Sequence, residues 1–246
     1  MKGIRRLITF FTASVALLAV PSTAAAATVA NGDFETGTLS GWQTQISGGG
    51  GWFPYSGTIS PANFQSITAP PQGSFAATTD PGGPGTSILY QDVALEPGGT
   101  HTLSLDVYYR SAAAIAHPST DSLSSSDFPN QQYRIDVMKP STPLTSISPA
   151  DILLPIFRTA TGDPTTLAPT LKTADLTPFA GQTVRLRFAE VDNSGPFIAS
   201  TDAVSIASPG TGQRAAALKK CKKKNKKHPN KKKFKKCKKK ANQLPV

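Results

Sequence analysis

Lysine is concentrated at the C-terminal end of this 246-residue chain. Between Lys219 and Lys240 there are 15 lysines in 22 residues, and no acidic residue follows Asp202. Ammonium groups attract anions as point charges, without the bidentate geometry that arginine adds. The pattern therefore predicts non-specific binding of polyanions. The predicted polyanion-binding residues are Lys219, Lys220, Lys222, Lys223, Lys224, Lys226, Lys227, Lys231, Lys232, Lys233, Lys235, Lys236, Lys238, Lys239 and Lys240.

The charge of the rest of the chain has the opposite sign. Residues 28–213 contain 7 basic and 15 acidic side chains, a net charge of −8, whereas residues 214–246 carry 16 basic residues and no acidic one. The overall net charge of +11 therefore describes neither part. Because a dense run of like charges resists collapse, the lysine-rich tail is expected to be disordered, with transient helix near residues 214–218 at most.

The two cysteines of the chain, Cys221 and Cys237, both lie within the lysine run. An even pair outside the cell is a candidate disulfide, which would constrain the tail by roughly 3 kcal/mol of chain entropy. The alternative is a pair of free thiols in a mobile tail. The acidic body has no cysteine, so its stability must come from its hydrophobic core alone.

Three aromatic residues, Trp52, Phe53 and Tyr55, follow four consecutive glycines in a segment predicted to be a loop, residues 47–71. Exposed rings held by polar loops can stack on the apolar face of a sugar. Tyr108, predicted on the polar face of a strand beside Arg110, is a further candidate. These four residues are the predicted ligand-binding set. The alternative is that the rings of the loop cap one end of the core.

No sequence motif indicates catalysis. The chain lacks G-x-S-x-G, H-E-x-x-H and P-loop patterns. Glu35, Glu96 and Glu190 show no spacing typical of a pair of catalytic carboxylates, and His101 and His117 have no recognisable nucleophile. The sequence therefore predicts a protein without enzymatic activity.

The N-terminus is typical of a secretory signal peptide. Three basic residues precede a 14-residue run without charge, Leu7 to Val20, and an alanine run follows that permits cleavage after Ala26 or Ala27. A membrane anchor is the alternative, but the run is shorter than the roughly 20 residues needed to span a bilayer. We expect a secreted, extracellular or wall-associated monomer whose mature chain has no transmembrane segment.

Period-2 alternation in the body predicts strands. Leu103, Leu105 and Val107 alternate with polar residues, and so do Val184, Leu186 and Phe188, between which Arg185 and Arg187 point away from the apolar face. Other expected strands are 42–46, 74–78, 87–93, 133–137, 152–159, 171–175 and 203–206. Short strands with one apolar face, separated by turns, predict an all-β, two-sheet antiparallel jelly-roll sandwich.

Several motifs resemble galactose-binding-like jelly-roll domains, a group that includes carbohydrate-binding modules. Residues 31–42 contain the Asn-Gly-x-Phe-Glu…Gly-Trp pattern that opens such domains. Residues 90–105 are similar to an internal stretch of the family, and residues 184–206 are similar to its last two strands, which end in Asp-x-Val. The resemblance spans about residues 29–206. The long 111–132 loop, His101 and the lysine tail depart from the family pattern.

The resemblance implies a structural Ca²⁺ near the ends of the first and last strands. Glu35 and Asp202 are the positions of this chain that match. Carboxylates from both ends of the domain, together with loop carbonyls, would supply the oxygen ligands that Ca²⁺ prefers. The alternative is that both acids are solvated residues at strand ends.

The expected organisation is a signal peptide (1–27), the sandwich (28–207), a linker (208–218) and a lysine-rich tail (219–246). The first functional hypothesis is an exported binding protein, whose sandwich recognises a carbohydrate or matrix component and whose tail retains it on anionic cell-envelope polymers. The second is a structural or adhesive surface protein with the sandwich as a spacer. The third is an extracellular nucleic-acid-binding protein.

Overall fold

The structure, a computed structural model, describes residues 28–80, 82–113, 122–208, 213–227 and 229–242. The predicted signal peptide and His117 lie outside these residues, as do parts of the 111–132 loop and of the linker. Within them, no helix is long and apolar enough to cross a membrane.

Ten antiparallel strands form two five-stranded sheets, which confirms the predicted all-β sandwich. The first sheet contains, in spatial order, β1 (Gln43–Gly48), β4 (Gly85–Ala94), β9 (Thr183–Asp192), β6 (Gln132–Met138) and β7 (Ile152–Arg158). The second contains β2 (Trp52–Tyr55), β3 (Ala76–Thr79), β10 (Phe197–Ala207), β5 (Thr102–Ser111) and β8 (Thr166–Asp175). A 3₁₀ turn, Thr177–Phe179, precedes β9.

The core lies between the sheets and is built by the alternation seen in the sequence. Leu103, Leu105 and Val107 of β5 face Val184 and its apolar neighbours of β9, all of them buried in one cluster. The polar residues between them point to the outer faces, because successive side chains of a strand lie on opposite sides of the sheet. Trp42, the tryptophan of the Gly-Trp pattern, is buried there against Phe34 and Phe188.

One strand was not predicted. β2 lies inside the segment expected to be the 47–71 loop, and it pairs with β3 at the edge of the second sheet. Pro54 and the preceding glycines obscure its pattern. At an edge, however, a proline is tolerated, because its missing N–H can lie on the side that has no partner strand.

The structure also corrects the expectation of a disordered tail. Its described residues form helix α1 (Gln213–Lys227) and helix α2 (Lys231–Ala241), so α1 begins within the predicted linker. Alanine, leucine and lysine are strong helix formers. The Asn230 side chain caps α2 by accepting a hydrogen bond from the backbone N–H of Lys233 at 2.9 Å. Phe234, Cys237 and Ala241 share the face of α2 that contacts α1.

Candidate functional sites

The predicted sugar platform is not exposed in the structure. Trp52 is only 4% exposed, and it belongs to the main core, where its ring packs against Tyr133 and Phe188. Its indole N–H donates to the Ser87 carbonyl oxygen at 3.1 Å. Trp52 lies on the inner side of β2, so the alternative interpretation, a ring that caps the core, describes it correctly.

Tyr55 and Tyr108 lie on the outer face of the second sheet but are buried as well. Their hydroxyls are 2.7 Å apart, and the Tyr55 hydroxyl also donates to the Thr68 carbonyl oxygen. Ile67, from the segment that follows β2, packs over both rings. Burial raises the pKa of both phenols. Of the predicted set only Phe53 keeps partial exposure, so these residues offer no stacking surface for a sugar.

The two acids proposed from the family resemblance lie near each other. Asp202 is fully buried, opposite Asp106 on the neighbouring strand. Burial raises the pKa of Asp202 to about 6, and the negative charges of Asp106 and Glu35 raise it further. Among the described residues, none of these three acids takes part in an ion pair.

A cation would compensate this charge, and carboxylate oxygens are the donors that Ca²⁺ takes. One Glu35 oxygen already accepts the backbone N–H groups of Ser74 and Phe75, and Asp202 accepts those of Gln72 and Ala203. The described chain has no cluster of three or more acidic, cysteine or histidine side chains arranged for a metal. Backbone carbonyls would therefore have to complete the ligand set around Glu35 and Asp202.

A second group of buried acids lies at the end of β9, on the inner side of the first sheet. Burial raises the pKa of Glu190 well above its ordinary value, and the charge of Asp192 adds to this effect. Burial also raises the pKa of Asp192, to about 7. One carboxylate oxygen of Glu190 has no hydrogen-bond partner in the described structure. At a pH between the unfolded and the folded pKa of each acid, the folded chain therefore keeps a proton that the unfolded chain has released.

These raised pKa values predict that stability falls as the pH rises. Between the unfolded pKa of about 4 and the folded value of about 7 for Asp192, the folded chain binds more protons than the unfolded chain. The free energy of unfolding, measured with urea, should be higher at pH 5 than at pH 8. Asp192→Asn should reduce that difference. Equal or greater stability at pH 8 in the wild-type chain would contradict the assignment.

The lysine-rich helices form a covalently closed hairpin. A disulfide joins Cys221 of α1 to Cys237 of α2, and the two Cα atoms are 5.8 Å apart. We call α1, α2 and this bond the lysine hairpin. Cys221 and Ala241 are buried in it, and the Lys238 ammonium group lies 5.7 Å from the centre of the Phe234 ring.

The lysines of the hairpin point to solvent. All fourteen predicted polyanion-binding lysines whose side chains the structure describes are exposed; the side chain of Lys227 lies outside the described set. The ion pairs seen among the described residues, Arg134–Asp136, Arg185–Asp92 and Arg187–Asp136, lie within the sandwich, and none of them uses a lysine. The hairpin therefore presents its positive charge on the outside of two helices.

A groove on the outer face of the first sheet encloses a volume of about 840 Å³. Gln45, Ser47 and Thr86 line it from β1 and β4. Two loops form its walls, residues 122–126 and 145–149. We call it the hydroxyl groove because serine and threonine supply most of its lining.

Two asparagines at strand ends of the first sheet, Asn130 before β6 and Asn193 after β9, hold the first wall in place. The amide N–H groups of Asn130 donate to the carbonyl oxygens of Ser122 and Ser124, at 3.1 and 2.9 Å. The Asn193 amide donates to the carbonyl oxygens of Ser125 and Asp127, at 2.8 and 3.0 Å. These four hydrogen bonds hold the backbone of residues 122–127 in place.

An arginine holds the second wall. Arg187 is fully buried, and its Nη1 donates to the carbonyl oxygens of Leu144 and Ser146, both at 2.6 Å. Asp136 accepts from both Arg187 and Arg134.

The sequence correctly placed Arg187 on the outer side of its strand but gave no sign that the 139–151 segment covers it. Serine-rich stretches at 122–126 and 145–148 are the signal that could have indicated the groove.

No protein-family model matches the sequence, and no curated protein matches it significantly. Solved structures of similar shape include one described as CBM61 in complex with β-1,4-galactotriose, with 13% identity and a TM-score of 0.44; the match covers 73% of this chain and 96% of that one. Another is the K3 cleaved adhesin domain of Lys-gingipain from Porphyromonas gingivalis, with 16% identity and a TM-score of 0.44. That match also covers 73% of this chain and 96% of the other.

A third structure, from carbohydrate-binding modules of the β-sandwich superfamily, has 16% identity and a TM-score of 0.38, with 72% of this chain and 60% of that one covered. These neighbours are thus carbohydrate-binding and adhesin domains. At such identities and TM-scores the ligand of this chain has to be argued from its own side chains.

Proposed function

We propose that this chain is an exported, non-catalytic binding protein, whose sandwich recognises a carbohydrate and whose lysine hairpin retains it on anionic polymers of the cell envelope. The observation that carries the proposal is the outward display of lysines on both helices of the hairpin, with no acidic residue after Asp202. Such a surface binds polyanions by releasing their counterions, so its affinity depends steeply on salt.

The acidic charge of the sandwich favours this division of roles. Residues 28–213 carry a net charge of −8, so the sandwich itself is repelled by polyanions, and attraction has to come from the hairpin. Phe234 is the only aromatic residue after Asp202. One half-buried ring cannot stack on successive bases, which disfavours selective binding of single-stranded nucleic acid.

The experiment that tests the proposal compares three anionic ligands at equal charge concentration: isolated cell-wall polymer, anionic phospholipid vesicles and DNA. Residues 28–246, with the disulfide intact, should bind the wall polymer at least as tightly as the other two at 150 mM salt. Residues 28–208 serve as the control and should bind none of them. Clear preference for DNA, or equal retention of the shortened chain, would contradict the proposal.

We also propose a structural Ca²⁺ held by Glu35 and Asp202. A ligand that binds only the folded state stabilises it. Adding 1 mM CaCl₂ to EDTA-treated protein should therefore raise the melting temperature by about 2–4 °C, which corresponds to about 1 kcal/mol for a domain of this size. The rise should be smaller with MgCl₂ and absent in Glu35→Gln. An unchanged melting temperature in the wild-type chain would exclude the site.

A further inference from the structure

The hydroxyl groove has an uncharged lining. The thirteen described residues around it are nine serines and threonines, one glutamine, Leu123, Ile147 and Pro149, and none of them is ionisable. Beneath it, the charge of Arg187 is compensated by Asp136 and by loop carbonyls. A charged ligand would therefore lose its hydration here without gaining an opposite charge.

The two walls repeat one local structure. In the first, the Ser122 and Ser124 hydroxyl oxygens accept hydrogen bonds from the backbone N–H groups two residues further on, at 2.9 and 3.2 Å. In the second, Ser146 and Ser148 do the same, both at 3.2 Å. These turns hold each serine side chain in one orientation relative to its own loop.

A hydroxyl fixed in this way still has a hydrogen to donate. Ser146 donates its own to Asp151, whereas Ser124 and Ser148 show no hydroxyl acceptor in the described structure. The exposed hydroxyls of Ser47 and Thr145 add groups that can both donate and accept. The groove thus offers several neutral hydrogen-bonding groups whose backbone is already held in place, which lowers the entropy lost on binding.

The two walls of the groove also contribute apolar side chains to its lining. Leu123 is buried and Ile147 half-buried, and both pack on Ile88, Ala189 and Val191 of the first sheet. A ligand with hydroxyls around its edge and C–H groups on its face complements such a surface. The volume of about 840 Å³ falls within the range of ligand pockets, roughly 300–1,000 Å³.

We propose that the hydroxyl groove is the carbohydrate site of the sandwich and that it takes a neutral oligosaccharide rather than a charged one. This inference rests on the proposed function, because it names the place and the ligand class of the same recognition step. It also assigns that step to loop residues and not to the aromatic residues of β2.

The test is a glycan array probed with residues 28–246 at 0.5 M NaCl, where lysine-dependent binding is suppressed. Neutral glucans, galactans, mannans and chitooligosaccharides are compared with anionic uronate and sulfated chains. Ser47→Trp and Thr145→Trp each place a bulky ring at an exposed position of the groove. Thr173→Trp, at an exposed position of the second sheet, is the matched control.

At least one neutral glycan should bind, and each groove variant should weaken it by at least tenfold, whereas Thr173→Trp should not. Unchanged urea midpoints would show that all three variants fold. Binding only to anionic chains, or unchanged binding by both groove variants, would overturn the inference while leaving carbohydrate recognition in place. If no glycan bound at all, both this inference and the proposed carbohydrate recognition would be wrong. The separate polyanion assay would still test the role of the lysine hairpin.

Discussion

Replacing Asp136 by asparagine should lower the free energy of unfolding of the sandwich by about 3–5 kcal/mol. Asp136 is fully buried and accepts hydrogen bonds from two guanidinium groups, those of Arg134 and Arg187, of which Arg187 is also fully buried. Burial lowers the pKa of Arg187, and the charge of Asp136 opposes that effect. The substitution would leave two buried positive charges with no compensating carboxylate.

Asp92→Asn provides the matched control for this measurement. Asp92 also pairs with an arginine in two hydrogen bonds, at 2.6 and 2.8 Å to Arg185, but its side chain is 33% exposed. Its loss should therefore cost about 1 kcal/mol or less. Urea unfolding followed by tryptophan fluorescence measures both variants, because Trp42 and Trp52 lie in the core. Equal losses in the two variants would contradict the role assigned to the buried network.

Breaking the Cys221–Cys237 disulfide should unfold the lysine hairpin. The bond closes a loop with a sequence separation of 16, worth roughly 3 kcal/mol of chain entropy. The two helices have few buried residues and no acidic side chain to offset lysine repulsion, so little else holds them together. Reduction should therefore lower the helical circular dichroism signal at 222 nm.

The same signal offers an internal control, because the described sandwich contains no α-helix. A Cys221→Ser, Cys237→Ser double variant should show the low signal without reductant and should not respond to reductant. Polyanion added to the reduced chain should restore part of the helix by neutralising the lysines. Full helicity after reduction, at low salt and without polyanion, would show that the disulfide does not determine the hairpin.

Local sequence patterns were sufficient to predict the sandwich. Leu103, Leu105 and Val107 alternate with polar residues, and such alternation directly reflects which face of a strand is buried. β2 escaped prediction because it is a four-residue edge strand that contains Pro54. The burial of Tyr108 could not be predicted for a different reason. The strand pattern places Tyr108 on the outer face of the sheet, but a distant segment around Ile67 covers that face.

The candidate site was harder to predict because it depends on contacts between residues far apart in the chain. The groove walls are positioned by hydrogen bonds from Asn193 and Arg187 to carbonyls 41–68 residues away in sequence. The hairpin illustrates the opposite problem. Its charge pattern is evident in the sequence, but helix propensity together with the bond between Cys221 and Cys237 outweighs the repulsion among its lysines.

The proposed function depends most on one division: the lysine hairpin is proposed to bind polyanions, and the acidic sandwich is not. The most direct measurement is the binding constant for a soluble wall polymer, determined from 50 to 300 mM NaCl with residues 28–246 and with residues 28–208. We expect the logarithm of the constant for the longer chain to fall with the logarithm of salt concentration at a slope steeper than about −3, as four or more lysine contacts would give. The shorter chain should show no measurable binding. Comparable binding by both chains, or a slope near zero for the longer one, would show that the lysine hairpin is not the part that binds the polymer.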